Sequence, residues 1–108
     1  MGRLNNLSRP QMISTEQYLF ACGDFQQAAV QERIFGRPLA GKPDALVGFC
    51  REPFVRPSGI PKDRVVGMVF TVTDADLAAA DACEPPNYRR SKVMTASGLL
   101  AWVYLRQN

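Results

Sequence analysis

The chain reads as one α+β domain, with two helices packed on a curved sheet or small mixed β-barrel. Three observations predict this. Its 108 residues suffice for a single core. Hydrophobic residues at 46% and charged residues at 21% are a globular balance rather than a disordered one. The apolar segments then change period along the chain in the order strand, helix, strand, strand, helix, strand, strand.

Residues 1–16 are polar, lack the apolar core of a signal peptide, and are expected to form a flexible tail ahead of a domain spanning 17–108. Gln17–Cys22 reads as a short buried strand broken by Gly23. Gln26–Phe35 reads as a helix, with Ala28, Ala29, Ile34 and Phe35 apolar, stopped by Gly36 and Pro38. The Pro- and Gly-rich region 39–63 holds a strand near Ala45–Cys50 and a loop over Arg56–Pro61. Arg64–Val72 is a strand by composition; Gly67 inside it marks a bulge or a close backbone approach. Thr73-Asp74-Ala75-Asp76 resembles a capping box for a helix Ala75–Cys83. Arg90–Thr95 and Leu99–Leu105 are strands joined at Ser97-Gly98.

Composition narrows the chemistry. There is no histidine, so zinc sites and His-based triads are excluded; carboxylates, thiols and backbone donors remain. Three cysteines, Cys22, Cys50 and Cys83, without C-x-x-C spacing argue against a disulfide scaffold and for a cytoplasmic setting. No apolar run approaches the ~20 residues of a membrane span. The net charge of +3 is carried by scattered basic residues without interleaved aromatics, which argues against nucleic-acid binding.

The stretch Asp81-Ala82-Cys83-Glu84-Pro85-Pro86-Asn87-Tyr88-Arg89-Arg90 carries the strongest functional signal. Leu77, Ala80 and Glu84 are spaced i, i+3, i+7, so Glu84 projects with the residues that bury the helix, and two prolines follow. An acid on a core-facing stripe is costly without a use for it. The alternative is a helix-terminal Glu turned to solvent or satisfied by Tyr88, Arg89 or Arg90.

Tyr18-Leu-Phe-Ala-Cys-Gly23-Asp24-Phe25 resembles the strand-to-loop motif of the gamma-glutamylcyclotransferase-like family, in its avirulence-induced-gene-like branch. That motif usually reads Leu-Phe-x-Tyr-Gly-Thr/Ser-Leu. Gly67–Leu77, the helix ending at Glu84, Tyr88-Arg89-Arg90 and the closing Ala101-Trp102-Val103-Tyr104 resemble the later blocks, in order. The resemblance implies a small mixed barrel with a central pocket, in which a gamma-glutamyl amine, amide or peptide is converted to 5-oxoproline and a free amine. It places Glu84 as the general acid/base. Gly23, Asp24 and Phe25 match the loop whose N–H groups hold the substrate's carboxylate. It implies no cofactor and no metal, and a small gamma-glutamyl substrate or ligand as partner; the oligomeric state is left open.

Independent physics agrees with the resemblance. Burial raises a Glu pKa toward the range useful for a base, and a glycine at Gly23 permits φ > 0, so that successive N–H groups can converge on an anion. Three departures leave a second reading open, a catalytically inactive binding module on the same fold. Asp24 stands where Thr or Ser is usual, Cys22 and Cys83 stand where tyrosines are usual, and the region 43–64 is short. Cys22, Tyr88 and Tyr104 complete the expected pocket lining. Trp102 is expected in the core, and Arg90 in a structural ion pair.

Overall fold

The computed structural model describes residues 17–107; the predicted tail 1–16 lies outside the described residues. The first strand, β1 (Gln17–Ala21), is followed by a 3-10 turn (Asp24–Gln26) and helix α1 (Ala28–Phe35). Strands β2 (Gly41–Val47), β3 (Phe49–Cys50), β4 (Arg56–Pro57) and β5 (Arg64–Val72) come next. Helix α2 (Asp74–Cys83) then leads to the hairpin of β6 (Tyr88–Met94) and β7 (Leu100–Arg106). Five strands form one mixed sheet in the order β2-β5-β1-β7-β6, and β3 and β4 make a separate two-stranded piece. At its centre, β1 runs antiparallel to β5 (Leu19 opposite Phe70) and parallel to β7 (Leu19 opposite Trp102).

Period-two alternation gives the sheet two apolar faces. Phe20, Leu46, Val65, Val69, Ala101 and Val103 bury one of them. Leu19, Ala21, Phe70 and Val72 bury the other, against Leu77 of α2. The sheet is curled rather than closed into a barrel. Its far ends meet where the Ala96 N–H of the β6–β7 turn donates to the Ala45 carbonyl of β2 at 2.8 Å. Beside it, Ser97 Oγ donates to Asp44 Oδ2 at 2.6 Å.

Two elements begin or break away from their expected positions. Gly48 at φ 82 divides the Ala45–Cys50 segment into two strands. The first starts earlier, at Gly41, because β2 is an edge strand and tolerates Pro43. Helix α1 starts at Ala28 rather than Gln26, because the chain first makes the 3-10 turn.

The capping box of α2 is present: Thr73 Oγ1 accepts from the Asp76 N–H at 3.1 Å, and Asp76 Oδ2 accepts from the Thr73 N–H at 2.9 Å. Asp76 is also gripped by Arg37, whose Nη1 and Nη2 donate to its two oxygens at 2.9 and 2.7 Å. That pair ties the start of α2 to the exit of α1. The Arg37 bonds hold the Asp76 carboxyl below its ordinary value of 3.8, although burial opposes them. A depressed pKa contributes stability that is present above the unfolded value and lost as pH falls through the folded one. Asp76→Ala is therefore expected to lower stability by about 2–3 kcal/mol at pH 7, from the lost cap and charge-assisted bonds. Urea unfolding of the two proteins checks this; the difference between them should narrow below pH 3.8.

Candidate functional site

The site lies where β1 ends. Gly67 on β5 lets the backbones close up there, since a Cβ at this position would stand 2.4 Å from the Ala21 carbonyl oxygen. This is the close approach that the glycine in the strand predicted. Past Ala21 the chain turns. The Gln26 N–H donates to Gly23 O at 3.0 Å and the Gln27 N–H to Asp24 O at 2.9 Å. The N–H groups of Asp24 and Phe25 have no backbone partner among the described residues. Gly23 has φ −131, so the turn does not use the positive φ expected of it; the bend is made by the 3-10 geometry that follows.

Gln31, buried on α1, fixes this turn in place. Its Nε2 donates to Phe25 O at 2.8 Å, and its Oε1 accepts from the Leu39 N–H at 2.9 Å. Sequence reasoning passed over Gln31. The available signal was its position, i+3 from Ala28 and i−4 from Phe35 on the apolar stripe.

A cavity of about 320 Å³ opens beside the turn. Cys22, Gly23, Asp24, Phe25, Glu84, Tyr88 and Tyr104 all line it, so every residue predicted for the site comes together there. Glu84 arrives by a different route from the one its spacing suggested. Helix α2 ends at Cys83, and Glu84 is its extended cap residue, at φ −86 and ψ 149. The following Pro85 disfavours helical backbone at this position. Glu84 is half-buried rather than largely buried.

Among the described residues no donor or cation pairs with the Glu84 carboxylate. Burial, and secondarily the charge of Asp81, push its pKa above the ordinary 4.5. Arg90, one of the residues that the alternative reading paired with Glu84, is engaged in a structural ion pair instead: its Nε and Nη2 donate to Asp81 at 2.6 and 2.9 Å. Tyr104 also donates to Asp81, at 2.6 Å, and its ring meets Phe25 edge-on at 6.0 Å between centroids. Burial raises the Tyr104 pKa strongly, and the bond to Asp81 adds to the rise.

A second hollow, of about 380 Å³, adjoins the first and shares Glu84, Tyr88 and Tyr104 with it. Trp102 lines it, so this ring is half-buried at the rim rather than in the core, with the Arg90 guanidinium stacked 4.5 Å from its centroid. Among the described residues Arg33 is the one basic residue lining the first cavity, where the sequence suggested only a scattered surface charge. Cys22 and Cys83 line the same cavity as free thiols, and burial pushes the Cys22 thiol up. Among the described residues no three Cys, Asp or Glu side chains converge as a metal site requires, and no helix is long and apolar enough to cross a membrane.

The described residues thus form a curled mixed sheet with two α-helices and a half-buried acid beside a tight turn. The family model described as "Gamma-glutamyl cyclotransferase, AIG2-like" matches residues 19–108, and the chain belongs to that family. The solution structure of At3g28950.1 from Arabidopsis thaliana superposes with a TM-score of 0.74 at 25% identity, covering 94% of this chain and 66% of that one. The solution structure of At5g39720.1, also from Arabidopsis thaliana, gives 0.73 at 25% identity, covering 87% and 70%. This chain therefore spans about two thirds of the length of the proteins it resembles. No curated protein sequence matches it significantly.

Proposed function

We propose that this protein is a cofactor-free cyclotransferase that releases 5-oxoproline from a gamma-glutamyl amine, amide or peptide. The observation that carries the reading is Glu84: half-buried, without a cation, raised in pKa, and on one cavity wall with the Gly23–Phe25 turn. In this reading the α-carboxylate of the substrate lies at the N–H groups of Asp24 and Phe25. The α-amine nitrogen attacks the γ-carbonyl carbon, and the γ-amide C–N bond breaks. Glu84 takes the proton from the attacking nitrogen and returns it to the departing one, so the step consumes no net proton. A base with a raised pKa is matched to that exchange.

The test is incubation of the protein with γ-glutamyl amino acids, γ-glutamyl-ε-lysine and simple γ-glutamyl alkylamides, with 5-oxoproline measured by mass spectrometry. Release from any of them supports the reading. Its absence from all favours a non-catalytic ligand-binding module, to which Asp24 already lends weight.

The Asp24 carboxylate is exposed at the turn and, among the described residues, held only by a 3.5 Å contact from Gln27 Nε2. At close range in a partly solvated site it opposes a bound carboxylate by about 1 kcal/mol or more. Asp24→Thr is therefore expected to tighten 5-oxoproline binding several-fold, measured by calorimetry; weaker binding would count against the repulsion.

The free thiols support a reducing, cytoplasmic setting. Pairing of Arg37 and Arg90 with acids supports a small-molecule partner over nucleic acid.

A further inference from the structure

The wall beyond Glu84 has a fixed hydrogen-bond polarity. Asp81, Arg90 and Tyr104 come from α2, β6 and β7, and strand register sets Arg90 directly opposite Tyr104. Asp81 Oδ1 accepts from Tyr104 Oη and from Arg90 Nε, each at 2.6 Å, and Oδ2 accepts from Arg90 Nη2 at 2.9 Å. Arg90 is itself held, stacked on Trp102, whose indole N–H donates to Gln17 Oε1 at 2.7 Å.

The Arg90 bond, with help from Tyr104, keeps the Asp81 carboxyl below the usual carboxylate range despite its partial burial. An ionised carboxylate only accepts, and a phenol has one hydrogen to give. That hydrogen is committed to Asp81. What Tyr104 offers to the two hollows it lines is oxygen lone pairs and no donor.

The site therefore carries an acceptor, Tyr104, that lines the same two hollows as Glu84. Resting on the cyclotransferase reading, we propose that Tyr104 accepts a hydrogen bond from the α-amino group of the γ-glutamyl ligand, and that Asp81 is the positioning residue that imposes this polarity. Without Asp81 the phenol is free to rotate and donate, which suits a carboxylate or carbonyl instead. With it, the nitrogen that must attack is anchored beside the carboxylate that must deprotonate it, which restricts the geometry as the reaction requires. The ligand class follows: acyl groups bearing a free α-amine are selected over isosteres that lack it.

The experiment compares γ-glutamyl-alanine with glutaryl-alanine, identical but for the amine, by titration calorimetry in the Glu84→Gln background, which holds the ligand uncleaved. Tighter binding of γ-glutamyl-alanine by about tenfold is expected, as one charge-assisted hydrogen bond gives. Adding Tyr104→Phe, which keeps the ring against Phe25, should bring the ratio to within about twofold. Adding Asp81→Leu, which keeps the approximate shape but leaves the phenol no acceptor, should do the same while leaving glutaryl-alanine affinity nearly unchanged.

A merely structural Asp81 would weaken both ligands equally and preserve the ratio, which would overturn its assignment. If the Asp81→Leu protein does not fold by circular dichroism, the Tyr104→Phe arm decides. A ratio unchanged in Tyr104→Phe, or no preference in the parent (including no binding of either ligand), overturns the proposal. Failure of the wild-type protein to release 5-oxoproline, with the preference intact, overturns the catalytic reading alone.

Discussion

Glu84→Gln is expected to lower the rate of 5-oxoproline release by about 10²–10⁴, the usual contribution of a positioned acid/base. The amide keeps the shape of the side chain and its place on the cavity wall, and removes only the capacity to take a proton. The same change should stabilise the fold at neutral pH. Burial raises the Glu84 pKa in the folded state, so ionisation opposes folding. The sign follows from linkage: the contribution is most favourable below the unfolded pKa and is lost as pH rises through the folded one. The variant should therefore melt above the wild type at pH 7 and lose that advantage below pH 4.5. Thermal melts at pH 4 and 7, run beside the activity assay, check both halves. Near-normal turnover in Glu84→Gln would remove the residue from the mechanism.

Gly67→Val is expected to cost about 3 kcal/mol or more, at the upper end of overpacking effects. The first added carbon would stand 2.4 Å from the Ala21 carbonyl oxygen and 2.8 Å from the Phe20 ring. A ring can tilt, but a backbone carbonyl at the end of a central strand cannot move without taking Cys22 and the turn with it. Gly23→Ala is the contrast. Nothing lies within 4 Å of its missing Cβ, so an added methyl meets no neighbour. It should change stability by no more than about 0.5 kcal/mol. Denaturant midpoints of the two variants separate a glycine required by packing from one that is not.

These two glycines show what the sequence can and cannot convey. Gly67 was partly legible: a glycine amid Val65, Val66, Met68 and Val69 pointed to a bulge or a close approach, and the fold selects the second. Gly23 suggested a turn, and a turn is there, but the dihedral that makes it belongs to the next residues. Helix α2 was legible from Thr73 and Asp76 at one end and Pro85 at the other, because caps and prolines act locally. A curved sheet was legible as a class, but the contact that joins its far ends was not: Asp44 meets Ser97 across 53 positions, which no local pattern encodes.

The site divides along the same line. Glu84 reaches the cavity although the helical spacing that pointed to it stops one residue short, at Cys83. Asp81 sits inside the motif, yet its partners Arg90 and Tyr104 lie 9 and 23 residues away and meet it only through strand register. Arg90 could be expected to pair with an acid. Which acid it chose determines whether Glu84 stays unneutralised, and only the fold decides that.

The identity of the products from a γ-glutamyl amide tests the central claim most directly. Wild-type protein at pH 7.5 should yield 5-oxoproline and free amine in equal amounts, with no glutamate, because in the proposed reaction the nucleophile is the substrate's own α-amine. Glutamate in place of 5-oxoproline would mean that water attacks, and would contradict a cavity built to cyclise its substrate.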